Sequence, residues 1–292
     1  MAEDERRGTL AAFGAFFFWG AMPLYFWAFP DGVGAFEITL HRIFWTFILL
    51  LGVLGFSGAL GPAMALFRKP KVIGTLLAST VLISINWMVY AWAAMNGHLA
   101  EASLGYFINP LVNVAFGVLL LRERLNTWRW LAVGLAALGV LNQVIVVGKT
   151  PWIALTLAFS FGGYGLLRKT VAAEAKEGLF IETLIVSPLI LGAIIWMESQ
   201  GTGHLLHGSP GTVFLLLMAG FTITIPLTMF NFAARRIPLS TLGLIQYIAP
   251  SSTFIMAIVV GEKLTFGGMI TFVLIWMGLA LYSLDLWRKR GV

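Results

Sequence analysis

Two runs in this chain set amides, phenols and a proline on one helical face. Tyr106, Asn109, Pro110 and Asn113 recur three and four residues apart, and Gln246, Tyr247, Pro250 and Ser251 repeat much of that face later. Asn86 and Tyr90 stand four apart, and Asn231 falls in a comparable setting in the second half. Side chains at these spacings share a helix face, and a proline among them frees a backbone carbonyl. Such groups can hold a polar small molecule, or they can simply bond neighbouring helices. Trp19 and Tyr164, beside Gly20 and Gly163, are placed either to line a ligand cavity or to fill a core. His41 and Arg42 are the one consecutive ionisable pair inside an apolar stretch. A guanidinium there suits an anion, above all a carboxylate. Catalysis lacks a starting set: there is no HExxH, no nucleophile with base and carboxylate, and no phosphate loop. Four scattered histidines and zero cysteines supply no metal cage. The expectation is substrate binding with no catalytic residues, no metal and no cofactor.

The elements that must carry these residues follow from composition. The chain of 292 residues is 59% hydrophobic and 11% charged, against roughly 45–50% and about 25% for a soluble domain. A soluble fold of this size buries only about 75% of its surface, so lipid must cover the remaining apolar area. The apolar stretch 9–29 is too long for a signal-peptide core and ends without a small-residue cleavage site, so it reads as a retained first helix. A spanning helix needs roughly 20 apolar residues. Ten stretches qualify: 9–29, 35–57, 72–94, 101–121, 128–147, 150–167, 178–198, 211–234, 239–260 and 266–287. Gly148-Lys149-Thr150-Pro151 reads as a tight turn between two of them. With that count, 16 of the 19 Lys and Arg residues fall on one side, Lys149 and Lys263 on the other, and Arg42 within a span. The basic side is cytoplasmic by the positive-inside rule. The net charge of +6 is therefore a topology signal, scattered over short segments in a way that suits no nucleic acid.

The chain also repeats at an offset of about 140 residues. Ala93-Ala94 matches Ala233-Ala234, Leu99 matches Leu239, Tyr106 falls near Tyr247 and Pro110 on Pro250. Glu123-Arg124-Leu125 matches Glu262-Lys263-Leu264, and Gly139 matches Gly278. Five spans in each half make the halves enter the membrane from opposite sides. The charges agree: Met95 to His98 has no Lys or Arg, whereas its mate Arg235-Arg236-Ile237-Pro238 has two. Inverted repeats are a construction of secondary transporters, with the substrate site near midplane between the halves. The expected architecture is all-α and integral to the membrane, with ten transmembrane helices in two inverted five-helix repeats, 1–147 and 148–292.

At these residues the chain resembles a known family. Pro110, an apolar helix, Arg122-Glu123-Arg124-Leu125 and a Gly-rich helix resemble the EamA repeat of the drug/metabolite transporter superfamily; Pro250 through Gly261-Glu262-Lys263-Leu264 and Gly278 is its second copy. The run Glu101 to Asn113, Leu239-Ser240-Thr241-Leu242-Gly243 with Gln246-Tyr247, and Leu157 to Phe161 are similar to the RarD branch. The resemblance implies a ten-helix basket with a central cavity that exports small metabolites. Relatives of the YddG type export amino acids, and RarD-type proteins are linked to chloramphenicol sensitivity. One position departs from the pattern: Arg122 stands where the repeat usually has Gly before its Glu, which bears on backbone packing there. Glu123 and Glu262, at helix–loop junctions, are expected to cap the helix that follows or to pair with loop cations.

The function expected is therefore alternating-access export of amino acids from a bacterial inner membrane, with drugs or other amphipathic metabolites as the alternative cargo. The lipid bilayer and the small-molecule substrate are the expected partners, and a monomer is the favoured unit. Glu37, Glu182 and Glu198 read as lying within about a turn of a span boundary, so a carboxylate relay lacks parts and a facilitator or exchanger is expected. Arg42, about 10 Å from the start of its span, is within snorkelling reach of the periplasmic surface. Single cysteines introduced into this cysteine-free chain and labelled from each side test the topology. Arg68, Arg168 and the C-terminus should label from inside, His98 and Gly201 from outside. A cytoplasmic Gly201 would remove both the ten-span count and the inversion.

Overall fold

A backbone in hydrocarbon must satisfy its own N–H and C=O groups, which leaves helices or closed barrels. The computed structural model describes residues 2–96, 98–148, 152–259 and 266–288. Among them the secondary structure is helical, in thirteen α-helices and one 3₁₀ turn, with no strand. Eight helical stretches are long and apolar enough to cross a membrane: Glu3–Trp27, Ala35–Phe56, Pro70–Ala93, Glu101–Leu119, Thr127–Val146, Ala175–Ser199, Pro210–Ala234 and Phe266–Asp285. Their outward faces are apolar; Phe17 is 67% exposed, Met88 66% and Leu189 76%. The protein is multi-pass.

Two of the ten expected stretches differ from the rest. Helix α8 (Trp152–Thr170) is long enough, but three glycines and terminal Arg168 and Lys169 lower its mean hydropathy. The stretch 239–260 is two helices, α11 (Leu239–Gln246) and α12 (Ile248–Val259), broken at Tyr247. Pro250 has no N–H to return to the carbonyl of Gln246, and the ladder resumes with Ser251 N–H to the Tyr247 carbonyl at 3.1 Å. Its counterpart Pro110 lies inside α6 (Leu99–Leu119), which runs on unbroken. The first stretch is likewise two helices, α1 (Ala2–Gly20) and α2 (Met22–Trp27), interrupted just before Pro23. The 149–151 part of the expected tight turn, and Gly261, Glu262, Lys263 and Leu264, lie outside the described residues.

Small residues set the closest helix contacts. Helices α7 (Thr127–Val147) and α13 (Phe266–Arg288) pack through the matched glycines. A Cβ on Gly139 would stand 3.0 Å from the Thr271 carbonyl, and one on Gly278 2.8 Å from the Ala132 carbonyl. Asn142 spans the same seam, donating to the Gly267 carbonyl at 2.7 Å and to Thr271 Oγ1 at 2.9 Å. Arg129 pairs with Asp285 at 2.9 Å near one end of the seam. Around this pair, α6 packs on α8 and α11, α5 (Pro70–Met95) on α8, and α3 (Ala35–Phe56) on α9 (Ala175–Ser199) and α10 (Pro210–Ala234).

Glu123 does cap a helix, but in the other half of the chain. Its carboxylate accepts the backbone N–H of Leu239 at 2.6 Å and of Ser240 at 2.9 Å, plus the Ser240 hydroxyl. Helix N-termini carry unpaired donors and partial positive charge, so an anion there is stabilising. Lys169 does the converse at the end of α10, donating Nζ to the carbonyls of Ala234 and Ile237 at 3.1 and 2.6 Å. The α10–α11 corner is thus held between an anion and a cation from elsewhere in the chain. Asn126, not Glu123, caps α7, accepting Arg129 N–H at 2.9 Å.

Arg122 explains its own departure from the repeat. It takes φ +56°, the left-handed region, and Glu123 N–H then returns to the Gly117 carbonyl at 2.9 Å. Glycine belongs there for its backbone freedom, because a side chain in this region costs roughly 1–2 kcal/mol. The Arg122 side chain is exposed. Arg122→Gly should therefore stabilise the protein by about 1 kcal/mol, read as a rise in the detergent-solubilised unfolding midpoint. A fall would mean the side chain holds more than its backbone costs.

Candidate functional site

The expected site residues divide into separate groups in the folded chain. Arg42 lies seven residues into α3, and its guanidinium does not snorkel back along its own helix. Nε donates to Thr222 Oγ1 on α10 at 2.9 Å, twelve residues past the start of that helix. Close approach of α3 and α10 allows this reach: Thr46 Oγ1 donates to the Gly220 carbonyl at 3.1 Å, where a Cβ on Gly220 would strike the Trp45 backbone. The guanidinium carbon also stands 5.6 Å from the centre of the Phe26 ring. Thr222 is its one hydrogen-bond partner among the described residues.

Three phenols converge on that charge. The hydroxyls of Tyr25, Tyr90 and Tyr106 all lie within electrostatic range of Arg42. Tyr90 on α5 and Tyr106 on α6 meet edge to face, with ring centres 6.2 Å apart. Tyr25 on α2 donates its hydroxyl to the Leu215 carbonyl at 2.9 Å. Tyr106, with Tyr90 and Arg42 near its hydroxyl, remains 47% accessible.

Other candidates are consumed in helix-to-helix bonds. Asn86 donates to the Leu157 carbonyl at 2.9 Å and to Ser160 Oγ at 3.1 Å, tying α5 to α8. Asn113 Nδ2 donates to Asn109 Oδ1 at 3.2 Å and to Gln246 Oε1 at 2.8 Å, joining α6 to α11. Tyr247, fully buried at the α11 break, donates to the Phe107 carbonyl at 3.1 Å. That carbonyl is next to the one Pro110 deprives of its in-helix donor. Ser251 accepts from Trp276 Nε1 at 2.9 Å. Trp19 packs among Phe16, Phe161 and Phe230, at centroid distances of 5.6 to 5.8 Å. Asn231 donates to the Tyr164 hydroxyl at 2.8 Å, and both are fully buried.

The glutamates differ most from expectation. Helix α9 begins at Ala175, so Glu182 sits seven residues in, about 10 Å along the axis, and is 2% exposed. It is a carboxylate buried inside the bundle. Glu37 is also buried, and it binds the His204 N–H at 2.6 Å and His204 Nδ1 at 2.7 Å. Glu198 takes the N–H of Leu205 and Leu206 and lies 3.1 Å from His207 Nδ1. Ligand-capable atoms of Glu37, His41 and Glu198 lie within 4.8 Å of one another. Trp45 Nε1, which can only donate, points at His41 Nδ1 from 3.2 Å. That leaves the proton of a neutral His41 on Nε2, so this tautomer offers no free ring lone pair to a cation. A surface cleft of about 430 Å³ opens beside Pro62, Lys69, Glu174, Glu177 and Arg235, and no candidate residue lines it.

Apolar outer faces and buried polar groups on several helices define a multi-pass membrane protein with a polar interior. Residues 6–143 and 149–284 each match the EamA-like transporter family. The protein RarD of Escherichia coli (strain K12) is 42% identical over 97% of this chain and 96% of its own. An uncharacterized transporter of Vibrio cholerae serotype O1 is 41% identical over 97% and 94%. A solved structure titled "Crystal structure of protein" superposes with a TM-score of 0.70 at 20% identity, over 95% of this chain and 97% of that one, and shares the fold. The chain belongs to the EamA-like transporter family, in its RarD-like branch, and is a membrane transporter of the drug/metabolite type.

Accessibility separates the two tyrosine positions. In this cysteine-free chain, Tyr106→Cys should react readily with a charged, membrane-impermeant thiol reagent, because only water-borne thiolate reacts. Tyr247→Cys, buried in the bundle, should stay silent. A silent Tyr106→Cys would mean that its free surface faces lipid.

Proposed function

We propose that this transporter exports amino acids, with the substrate carboxylate bound by Arg42. The observation that carries the reading is a guanidinium anchored at Nε by Thr222 while three tyrosines converge on it. A planar guanidinium pairs with a carboxylate through two parallel N–H···O bonds. The rings of Tyr90 and Tyr106 offer π-faces that suit an α-ammonium or an apolar side chain. An uncharged drug would leave the guanidinium without a counter-charge. That consideration favours amino acids over the alternative cargo.

In this reading α8 and the α11–α12 pair also cross the membrane, and the ten spans form two inverted repeats, 1–147 and 148–292. Both termini face the cytoplasm of a bacterium, and the halves rock about the central site to expose it to each side in turn. Tyr90 and Tyr106 touch substrate. Asn109, Asn113, Gln246 and Tyr247 set the α6–α11 seam against which the halves move, and Asn86 fixes α5 to α8.

Proteoliposomes loaded with unlabelled amino acids and offered a labelled panel should show counterflow for a subset of the panel. Arg42→Ala removes a charge-assisted bond of about 1.5–3 kcal/mol, so half-saturation should rise roughly ten- to a hundredfold. Arg42→Lys should recover part of it. Counterflow of no amino acid in the panel, or an Arg42→Ala carrier with unchanged half-saturation, would overturn the assignment.

A further inference from the structure

The cleft of about 430 Å³ lies at the Lys- and Arg-rich end of the bundle, and neither Arg42 nor its phenols line it. One wall is the connection from α3 to α5: short helix α4 (Leu60–Ala65), the 3₁₀ turn Leu66–Arg68 and then Lys69. The facing wall is the turn from α8 into α9, with Glu174 and Glu177, and Arg235 at the end of α10. Two cations and two carboxylates therefore meet here, and they only partly satisfy one another. Arg235 Nη1 stands 2.7 Å from Glu174 Oε2 without an aligned hydrogen bond. Lys69 Nζ and the half-buried Glu177 carboxylate have no partner among the described residues.

The opposite end of the bundle shows what a glutamate in this position takes up. Helices α3 and α9 start 140 residues apart, as do α5 and α10, and Glu37 and Glu177 are each the third residue of their helix. At Glu37 the connection from α9 to α10 lies across the carboxylate, bringing His204 N–H to 2.6 Å and His204 Nδ1 to 2.7 Å. The residue 140 before His204 is Met64, whose side chain has no N–H to give. Glu177 is thus an acceptor beside open space, where its mate has donors.

The lining selects a ligand that carries both charges. A phosphate diester suits Lys69 and the unaligned N–H groups of Arg235, and a primary ammonium suits Glu177. A quaternary ammonium has no N–H to offer and is held by aromatic cages; no aromatic side chain lines this cleft among the described residues. A purely anionic headgroup would set its charge beside two carboxylates and leave Glu177 unpaired. The α4 wall also shows where the ligand comes from. Ala63 and Leu66 are buried, but Met64 and Phe67 are each 45% exposed, and Phe56 just before them is 98% exposed. Apolar side chains this open, in one short segment with Arg68, Lys69 and Lys71, fit the boundary between acyl chains and headgroups. A zwitterion dissolved in water has no use for them.

We infer that this cleft binds the headgroup of phosphatidylethanolamine, with the phosphate between Lys69 and Arg235 and the ammonium on Glu177. The acyl chains run past Met64 and Phe67. Lys69 comes from the first half of the chain, and Arg235 and Glu177 from the second, so the lipid bridges the halves at this end. The site is independent of what the carrier transports.

Labelling tests the site without any transport assay. Ala172 lines the cleft and is exposed, so Ala172→Cys reports occupancy in this cysteine-free chain. Exposed Gln200→Cys, at the far end of α9, corrects for the reagent's access to the disc surface. Full-length protein is placed in nanodiscs of phosphatidylcholine alone, or with added phosphatidylethanolamine or phosphatidylglycerol, and treated with a charged thiol reagent. The ethanolamine lipid should slow Ala172→Cys about fivefold relative to Gln200→Cys, the protection of a site roughly four-fifths filled. Choline and glycerol lipids should leave the ratio unchanged. Glu177→Gln should cancel the protection and Lys69→Gln should weaken it. No slowing by the ethanolamine lipid, equal slowing by all three lipids, or slowing untouched by Glu177→Gln or Lys69→Gln would overturn the inference. So would full protection in pure choline discs by dissolved glycerophosphoethanolamine, which would remove the lipid as the source, or by a dissolved amino-acid mixture, which would make the cleft a cargo vestibule.

Discussion

Hydrocarbon supplies no hydrogen bonds, and every irregularity in this chain is arranged around that fact. Where Pro250 withholds a donor, the chain stops one helix and starts another, and Tyr247 at the break sends its own hydroxyl to a carbonyl of α6. At the α10–α11 corner, four helix-end groups would be left without partners; Glu123 and Lys169 take two each. Thr222 meets Arg42 in the same way, giving a guanidinium an oxygen at a depth where water is scarce. The group that this accounting leaves open at Arg42 is the rest of its guanidinium.

Much of the fold can be read from residue type and spacing alone. Apolar stretches separated by charge give the spans, and matched Gly139 and Gly278 mark the seam at which α7 and α13 touch backbone to backbone. The proline positions show where a ladder is interrupted, although not that α6 survives Pro110 while the later stretch splits at Tyr247. Glycine's absence at Arg122 was visible too, but φ +56° shows that the position turns on backbone conformation and not on packing.

The site was harder to read, for a physical reason. Spacing tells which side chains share a face; it does not tell what that face meets. Asn86, Asn113 and Asn231 belong to one class in the sequence, yet each is bonded to a different neighbour, and Tyr25 and Thr222 enter only because α2 and α10 lie beside α3. For Glu182, sequence shows a position along its helix but not its surroundings: it is buried two turns past the start at Ala175. Charged residues near an apolar edge are where a shift of three residues changes the chemistry most.

The arrangement at the α10–α11 corner has a temporal side. Glu123 and Lys169 precede the groups they hold by 116 and by 65 to 68 residues. A ribosome therefore makes both clamps before it makes the corner they clamp. When α10 and α11 are made, the charges that hold their ends are already present in the chain. The opposite order would leave those helix ends without these partners for as long as the remaining residues took to be translated. Later helix ends are thus held by residues that precede them in the chain.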